Sequence, residues 1–364
     1  MEFTNESRLN EGNDIKDNEE SSQEISPTLK GKLNQKSTIC GDCTVVEDIQ
    51  EEEPIAPVDR ILLPGDIVKI QESDDQIFII GTKEGKVTKI RGLEVAKNLK
   101  ILTLRSCLVS KIEGVEENCE LEKLELYDNH IEVIENISHL HNLKVLDLSF
   151  NAIREMIPLS HCCPMLEELY LAQNKLRTIQ GLEGLVHLRT LDLGANRIRV
   201  IQGLETNTAM KSLWLGKNKI EAIGGLEALT ELRQLDIQHN RLTTLGEGLL
   251  HLSKLEELYL AWNAIDSLHG LPDSTELNTV DLSKNQITSL EGAEQHPSLE
   301  ELWLSYCQVA SFDALTPLTG LAKLTCLYLE HNPLAKDFEY RKTVTRMIPT
   351  LQQLDATMVN RTVS

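Results

Sequence analysis

The chain has 364 residues, a formal net charge of −21 and 41% hydrophobic residues. No apolar run approaches the ~18 residues of a membrane-spanning helix, and so acidic a chain is poorly suited to neutralising phosphates, so neither a membrane nor a nucleic acid is expected as partner. Eight cysteines are scattered without a framework, which suits a reducing compartment.

Residues 1–60 are rich in Glu, Asp, Ser and Asn and carry one aromatic, Phe3. Such a stretch has too little apolar surface to fold and is read as a disordered acidic tail. Its first residues lack the apolar core of a secretory signal, so the sequons at Asn5, Asn136 and Asn360 read as chance matches. Cys40 and Cys43 form a lone C-x-x-C with no second pair, a weak signal for zinc or redox chemistry. Residues 61–98 turn apolar again and are expected to form an N-terminal cap. Val87, Ile90 and Leu93 match the outer half of a degenerate first repeat.

From 99 to 332 the spacing L-x-x-L-x-L-x-x-N recurs eleven times. Its central residues are Thr103, Glu125, Asp147, Tyr170, Asp192, Trp214, Asp236, Tyr259, Asp281, Trp303 and Tyr328, in steps of 22 or 23 and a final step of 25. A fixed period of this length marks a solenoid, since no single repeat can bury its leucines alone. In LKVLDLSFN, Leu146 and Leu148 alternate with Asp147 at strand period, so the leucines face inward and Asp147 outward. Asn151 turns the chain out of the strand, and its amide can satisfy backbone groups in the turn. Cys107 and Cys307 take the Asn position in two repeats and are read as structural. The continuation x-I-x-x-I-x-G-L is too short for a long helix and predicts 3-10 turns. The expected fold is therefore an α/β leucine-rich repeat solenoid, with a curved parallel sheet on the concave face and short 3-10 turns on the convex face. His161, Cys162 and Cys163 could group around a metal, but Cys162 falls near a convex leucine position, which favours burial.

Residues 333–364 are expected to form a C-terminal helical cap and tail. Lys336–Met347 predicts a helix with Tyr340, Val344 and Ile348 on its inner side; Pro349 stops it, and Leu351 and Leu354 add a last apolar edge.

The central column carries the functional signal. Five of the chain's 14 aromatics lie in it, on the outward side of the strands, interleaved with acids. A solvated face explains acids but not exposed rings, which mark interaction sites. Glu168, Glu257 and Glu301 point to the same side as Tyr170, Tyr259 and Trp303. The expected site is a protein-binding face of Asp147, Tyr170, Asp192, Trp214, Asp236, Tyr259, Asp281, Glu301, Trp303 and Tyr328, attracting a basic protein surface. No P-loop, G-x-S-x-G, H-E-x-x-H or calcium loop occurs. The acids recur along an open face rather than in a pocket, so neither an enzyme nor a cofactor is expected.

The repeats, LDLSFN at 146–151, LWLGKN at 213–218 and the ending YLEHNPLAKDFEYRKTVTRMIPTLQQLDATMV from Tyr328 resemble the leucine-rich repeat regulatory subunit 7 family of serine/threonine protein phosphatase 1. That resemblance implies a non-catalytic scaffold, monomeric before assembly, that grips the phosphatase catalytic subunit through its concave face. It implies control of activity, maturation and substrate choice, in nucleus and cytoplasm. Tyr170 and Trp214 stand where the family is expected to have Phe, and Asp192 where it is expected to have Glu. No basic-x-Val-x-Phe docking motif is evident. The alternative is a ciliary or cytoskeletal scaffold with similar repeats, contacting dynein or tubulin.

Overall fold

A computed structural model describes residues 70–81 and 86–359. The acidic tail of residues 1–60, with Asn5, Cys40 and Cys43, the segment 61–69 and Asn360 lie outside them. Among the described residues one sheet of fourteen strands runs in chain order. Its strands are β1 (Gln76–Ile80), β2 (Ile101–Arg105), β3 (Lys123–Glu125), β4 (Val145–Asp147), β5 (Glu168–Tyr170), β6 (Thr190–Asp192), β7 (Ser212–Trp214), β8 (Gln234–Asp236), β9 (Glu257–Tyr259), β10 (Thr279–Asp281), β11 (Glu301–Trp303), β12 (Cys326–Tyr328), β13 (Gln353–Leu354) and β14 (Thr357–Met358). All neighbours pair in parallel except β13 with β14, a closing antiparallel hairpin.

Most of the three-residue strands bury their middle residue and leave the flanks half-buried. The buried members, with Leu143, Leu146 and Leu148 as one set, join a single apolar core from Ile70 to Leu354. Burying a leucine contributes about 1.5–3 kcal/mol. The fold therefore rests on repetition of that contact more than on any one of them.

The asparagines close the turns as their chemistry suggests. Asn196 donates from Nδ2 to Leu171 O at 2.9 Å and Leu193 O at 3.0 Å, while its Oδ1 accepts the Leu176 N–H at 3.0 Å. Each Asn thus ties its own repeat to the one before. Cys307 keeps part of this role, its thiol 3.3 Å from Leu282 O. The residue preceding each of these Asn or Cys positions sits in the left-handed region, from Ser106 at φ 53° to His331 at φ 61°. None of these eleven is glycine, and together they form a second regular column.

On the opposite side, the expected 3-10 turns are mostly isolated. Continuous 3-10 helices occur at Leu93–Val95, Leu159–His161, Ala293–Gln295, Phe312–Leu318 and Pro333–Lys336. Elsewhere single i→i+3 bonds suffice, such as Leu185 N–H to Leu182 O and Leu188 N–H to Leu185 O, both 3.2 Å. With only a few residues per repeat on this side, one bonded turn at a time brings the next leucine inward. The Gly of the I-x-G-L motif is needed there: Gly225 has φ +69°, and a Cβ would lie 2.5 Å from Ile201 O.

Two sequence expectations need correction. Cys163, not Cys162, takes the leucine position. Cys163 is fully buried and its thiol is pushed up to about 12 by that burial, while Cys162 is only partly covered. The C-terminal helix, α1 (Tyr340–Met347), begins four residues later than Lys336. Pro333 opens a 3-10 turn instead, and Asp337 accepts the Glu339 N–H at 2.7 Å before the helix starts. Helix α1 carries Val344 into the core, with Ile348 just beyond its end and Leu351 and Leu354 following. Tyr340 Oη donates to Asp355 Oδ2 at 3.0 Å, and Asp355 Oδ1 accepts the N–H groups of Leu329 and Glu330. Asp355 therefore satisfies donors at the end of β12 that would otherwise face an open edge.

Candidate functional site on the sheet face

The parallel register places the central residues side by side. Glu125 pairs with Asp147, Asp147 with Tyr170, Tyr170 with Asp192, Asp192 with Trp214, and Trp214 with Asp236. Asp236 pairs with Tyr259, Tyr259 with Asp281, Asp281 with Trp303, and Trp303 with Tyr328. From Asp147 to Trp303 each strand position thus alternates between a carboxylate and a ring. The same register extends the column to Phe78, opposite Thr103. Phe78 is 57% exposed, and without the pairing of β1 its sequence gave no sign of this position.

The column is less exposed than expected. Asp281 is 3% exposed and Glu125 2%, and the other acids and rings from Asp147 to Tyr328 are half-buried. Strands lie about 4.8 Å apart, so each short Asp sits in the shadow of the large rings on either side. Tyr170 and Trp214 reach over Asp192, with ring centroids 6.4 Å apart.

Burial gives the aspartates a structural task. Oδ1 of Asp147, Asp192, Asp236 and Asp281 accepts the N–H two residues on, from Ser149, Gly194, Gln238 and Ser283, at 2.8–2.9 Å. Small residues leave room for the carboxylate: a Cβ on Gly194 would lie 3.1 Å from Asp192 Oδ1. Burial pushes Asp192 and Asp281 up to about 6 and Asp236 up to about 7, against the backbone hydrogen bonds that favour ionisation. Asp147 is raised for the same first reason. Glu125 differs. Burial works against its charge, but Arg105 and Lys123 both bond to it and leave it below the usual carboxylate range. It is neutralised within the protein and is not available to a partner.

The second predicted row also makes internal bonds. Tyr170 Oη donates to Glu168 at 2.9 Å, and Tyr259 Oη donates to Glu257 at 2.7 Å. Burial, reinforced by these bonds, raises both phenols, which therefore stay protonated.

At the C-terminal end Glu301, Trp303 and Tyr328 come together. With Thr325, Cys326, Gln353 and Met358 they line a cleft of about 300 Å³. The rings of Trp303 and Tyr328 meet edge to face at 5.8 Å, and Gln353 donates to Tyr328 Oη at 2.6 Å. The indole N–H of Trp303 is shielded from solvent with no oxygen or nitrogen acceptor, and faces the Cys326 thiol. A buried donor without a good acceptor costs free energy that a ligand group can recover.

Sequence reasoning missed a further set. Several left-handed residues before the Asn or Cys positions carry rings that stack along the edge of the sheet. His239 stacks on Trp262 at 4.7 Å, and Tyr306 on His331 at 4.0 Å. The ammonium of Lys284 lies 3.5 Å from the Trp262 ring centroid and 4.8 Å from that of Tyr306. Trp262 and Tyr306 are 43% and 46% exposed. The shared period of 22 or 23 residues is the signal that would have found them.

Comparison with known proteins bears on both fold and site. The family model "Leucine-rich repeat" matches residues 258–362, and "Leucine Rich repeats (2 copies)" matches 119–161, 164–206 and 208–251. The chain is a leucine-rich-repeat protein. This leucine-rich-repeat body superposes on an internalin (InlF) of Listeria monocytogenes with TM-score 0.65 and 22% identity, over 80% of this chain and 88% of that one. A leucine-rich-repeat protein of Leptospira interrogans gives TM-score 0.66 at 25% identity, over 74% and 69%. These likenesses concern the fold.

Sequence similarity over shorter stretches points elsewhere. "Protein phosphatase 1 regulatory subunit pprA" of Dictyostelium discoideum is 41% identical over 72 residues, 20% of this chain and 21% of that protein. "Protein phosphatase 1 regulatory subunit SDS22" of Schizosaccharomyces pombe is 41% identical over 68 residues, 18% and 20%. "Protein phosphatase 1 regulatory subunit 7" of Homo sapiens is 45% identical over 49 residues, 14% of each. The matched stretches thus span about a fifth or less of these relatives' length. Each of these relatives is named as a regulatory subunit.

Proposed function

We propose that this chain is a non-catalytic regulatory subunit that holds the catalytic subunit of protein phosphatase 1 against its sheet face. The observation that carries this reading is the column from Asp147 to Tyr328, in which carboxylates and large rings are held in register along one face. The names of the sequence relatives supply the partner. Trp303, whose indole N–H faces only the Cys326 thiol beside a cleft, has the properties of an anchor, being large, rigid and half-buried. Tyr170, Trp214, Tyr259 and Tyr328 supply further apolar contact. Asp147, Asp192 and Asp236, with Glu301 beside Trp303, meet cationic groups of the partner, while buried Asp281 holds its strand end beneath Trp303.

In this reading the face controls phosphatase activity, maturation and substrate choice, in nucleus and cytoplasm, through where it holds the catalytic subunit. The test is a titration of the purified chain against the catalytic subunit. Turnover of a small phosphate ester is read beside turnover of a phosphoprotein. A stoichiometric complex in which the two activities change unequally supports regulation of substrate choice. Absence of a complex overturns the proposal and leaves a scaffold for another basic partner.

A further inference from the structure

The chain carries 57 acidic residues against 36 Lys and Arg, yet one surface reverses that balance. It is formed where the chain leaves the Asn turns after strands β4 to β8, in the segments 150–155, 173–178, 195–200, 217–222 and 239–244. These five segments hold eight Lys and Arg residues against two acids, Glu155 and Glu221. The pattern arises from the repeat itself. In NKLRTI, NRIRVI and NKIEAI the buried Leu or Ile at the second position after Asn forces the residues on either side outward. Basic residues at both positions in neighbouring repeats therefore gather on one strip.

Arg177, Arg197, Arg199 and Lys219, with exposed Val200, line a cleft of about 490 Å³. Lys175 and Arg241 flank it in the same segments. Glu221 lies 3.7 Å from both Arg199 and Arg241, but Arg177, Arg197 and Lys219 make no ion pair among the described residues. Like charges gathered without counter-charges repel one another, and an anionic ligand relieves that repulsion.

We propose that this strip is a second docking surface, for an extended acidic segment of a protein partner. Three features select that occupant. The cations recur once per repeat, roughly every 5 Å at the sheet, close enough for an extended chain rising about 3.3 Å per residue to place carboxylates against successive repeats. Guanidinium groups present paired N–H donors that match carboxylates. The cleft contains an apolar wall but no aromatic ring on which a nucleic-acid base could stack, and the rest of this acidic chain repels a long polyanion. The strip belongs to the turn segments and the acid and aromatic column to the strands, so both can be occupied together.

The experiment is fluorescence anisotropy of the full chain with a short labelled polyglutamate peptide at low salt, beside a polyglutamine peptide and an oligonucleotide of equal charge. Arg197→Glu/Arg199→Glu is compared with the milder Arg177→Gln/Lys219→Gln and with a remote control, Lys97→Glu/Lys100→Glu, each verified as folded by circular dichroism. The expected result is binding of polyglutamate alone. Affinity falls on the order of tenfold or more in the first variant and less in the second, with no change in the control. It also weakens with added salt. Absence of polyglutamate binding, or equal loss in the control, overturns the proposal. Tighter capture of the oligonucleotide through the same residues reassigns the strip to nucleic acid.

Discussion

Asp236 and Gln238 are joined twice: Asp236 Oδ1 accepts the Gln238 backbone N–H at 2.8 Å, and Oδ2 accepts its side-chain amide N–H at 2.9 Å. The acid column is thus part of the strand ends as well as of the candidate binding face. Asp236→Ala should remove the acceptor of a shielded N–H and cost about 1–2 kcal/mol of stability. Asp236→Asn keeps an oxygen acceptor and should cost less. Chemical denaturation of the two variants checks the order.

The raised aspartates make stability depend on pH in a definite direction. Asp192 and Asp281 near 6 and Asp236 near 7 hold their protons more tightly in the folded chain than in the unfolded one. Between about pH 4 and pH 7 the folded state therefore binds more protons, and stability contributed by these groups falls as pH rises through that window, then levels. The expected outcome is a smaller fall in thermal midpoint from pH 5 to pH 8 in Asp236→Asn than in the parent chain. Equal falls would show that Asp236 does not titrate in that range.

Binding should show the opposite trend. A cationic partner group beside Asp192 or Asp236 favours the ionised carboxylate, so complex formation releases protons near pH 6–7. Affinity for a basic partner should therefore rise between pH 6 and pH 8. Calorimetry in buffers of different ionisation enthalpy measures the protons released. A pH-independent affinity with no proton release would show that these aspartates remain protonated in the complex.

How much of this was legible in the sequence follows from which features repeat as residue types. Leu146, Asn151 and Asp147 announce the frame, the turn and the column, because each needs a particular side chain in every copy. The left-handed residues before the Asn or Cys positions, from Ser106 to His331, share a backbone angle and no side chain. The stacked run of His239, Trp262, Lys284, Tyr306 and His331 therefore shows in the sequence only through its spacing, one position before each Asn or Cys, and not through a recurring residue type. The half-burial of the column depends on ring size at the neighbouring strands, which appears only once the register is known. Glu125 looks like any other acid of the column until Arg105 and Lys123 are placed on it.

The Asn ladder should be the most costly polar feature to remove. Asn196→Ala would leave the buried carbonyls of Leu171 and Leu193 and the N–H of Leu176 without this partner. A loss of about 2–3 kcal/mol is expected. Leu213→Asp, which places a charge in a fully buried position, should unfold the middle repeats altogether. Hydrogen exchange across residues 170–240 separates local from global loss.

The central claim is that the sheet face holds the catalytic subunit of protein phosphatase 1. Its most direct test is capture of that subunit by the parent chain and by Trp214→Ala/Trp303→Ala, with the variant's fold verified by circular dichroism. Capture by the parent is expected, with loss of at least ~2 kcal/mol of affinity in the variant, since truncating an aromatic anchor has that effect. Equal capture by both proteins, or none by the parent, would contradict it.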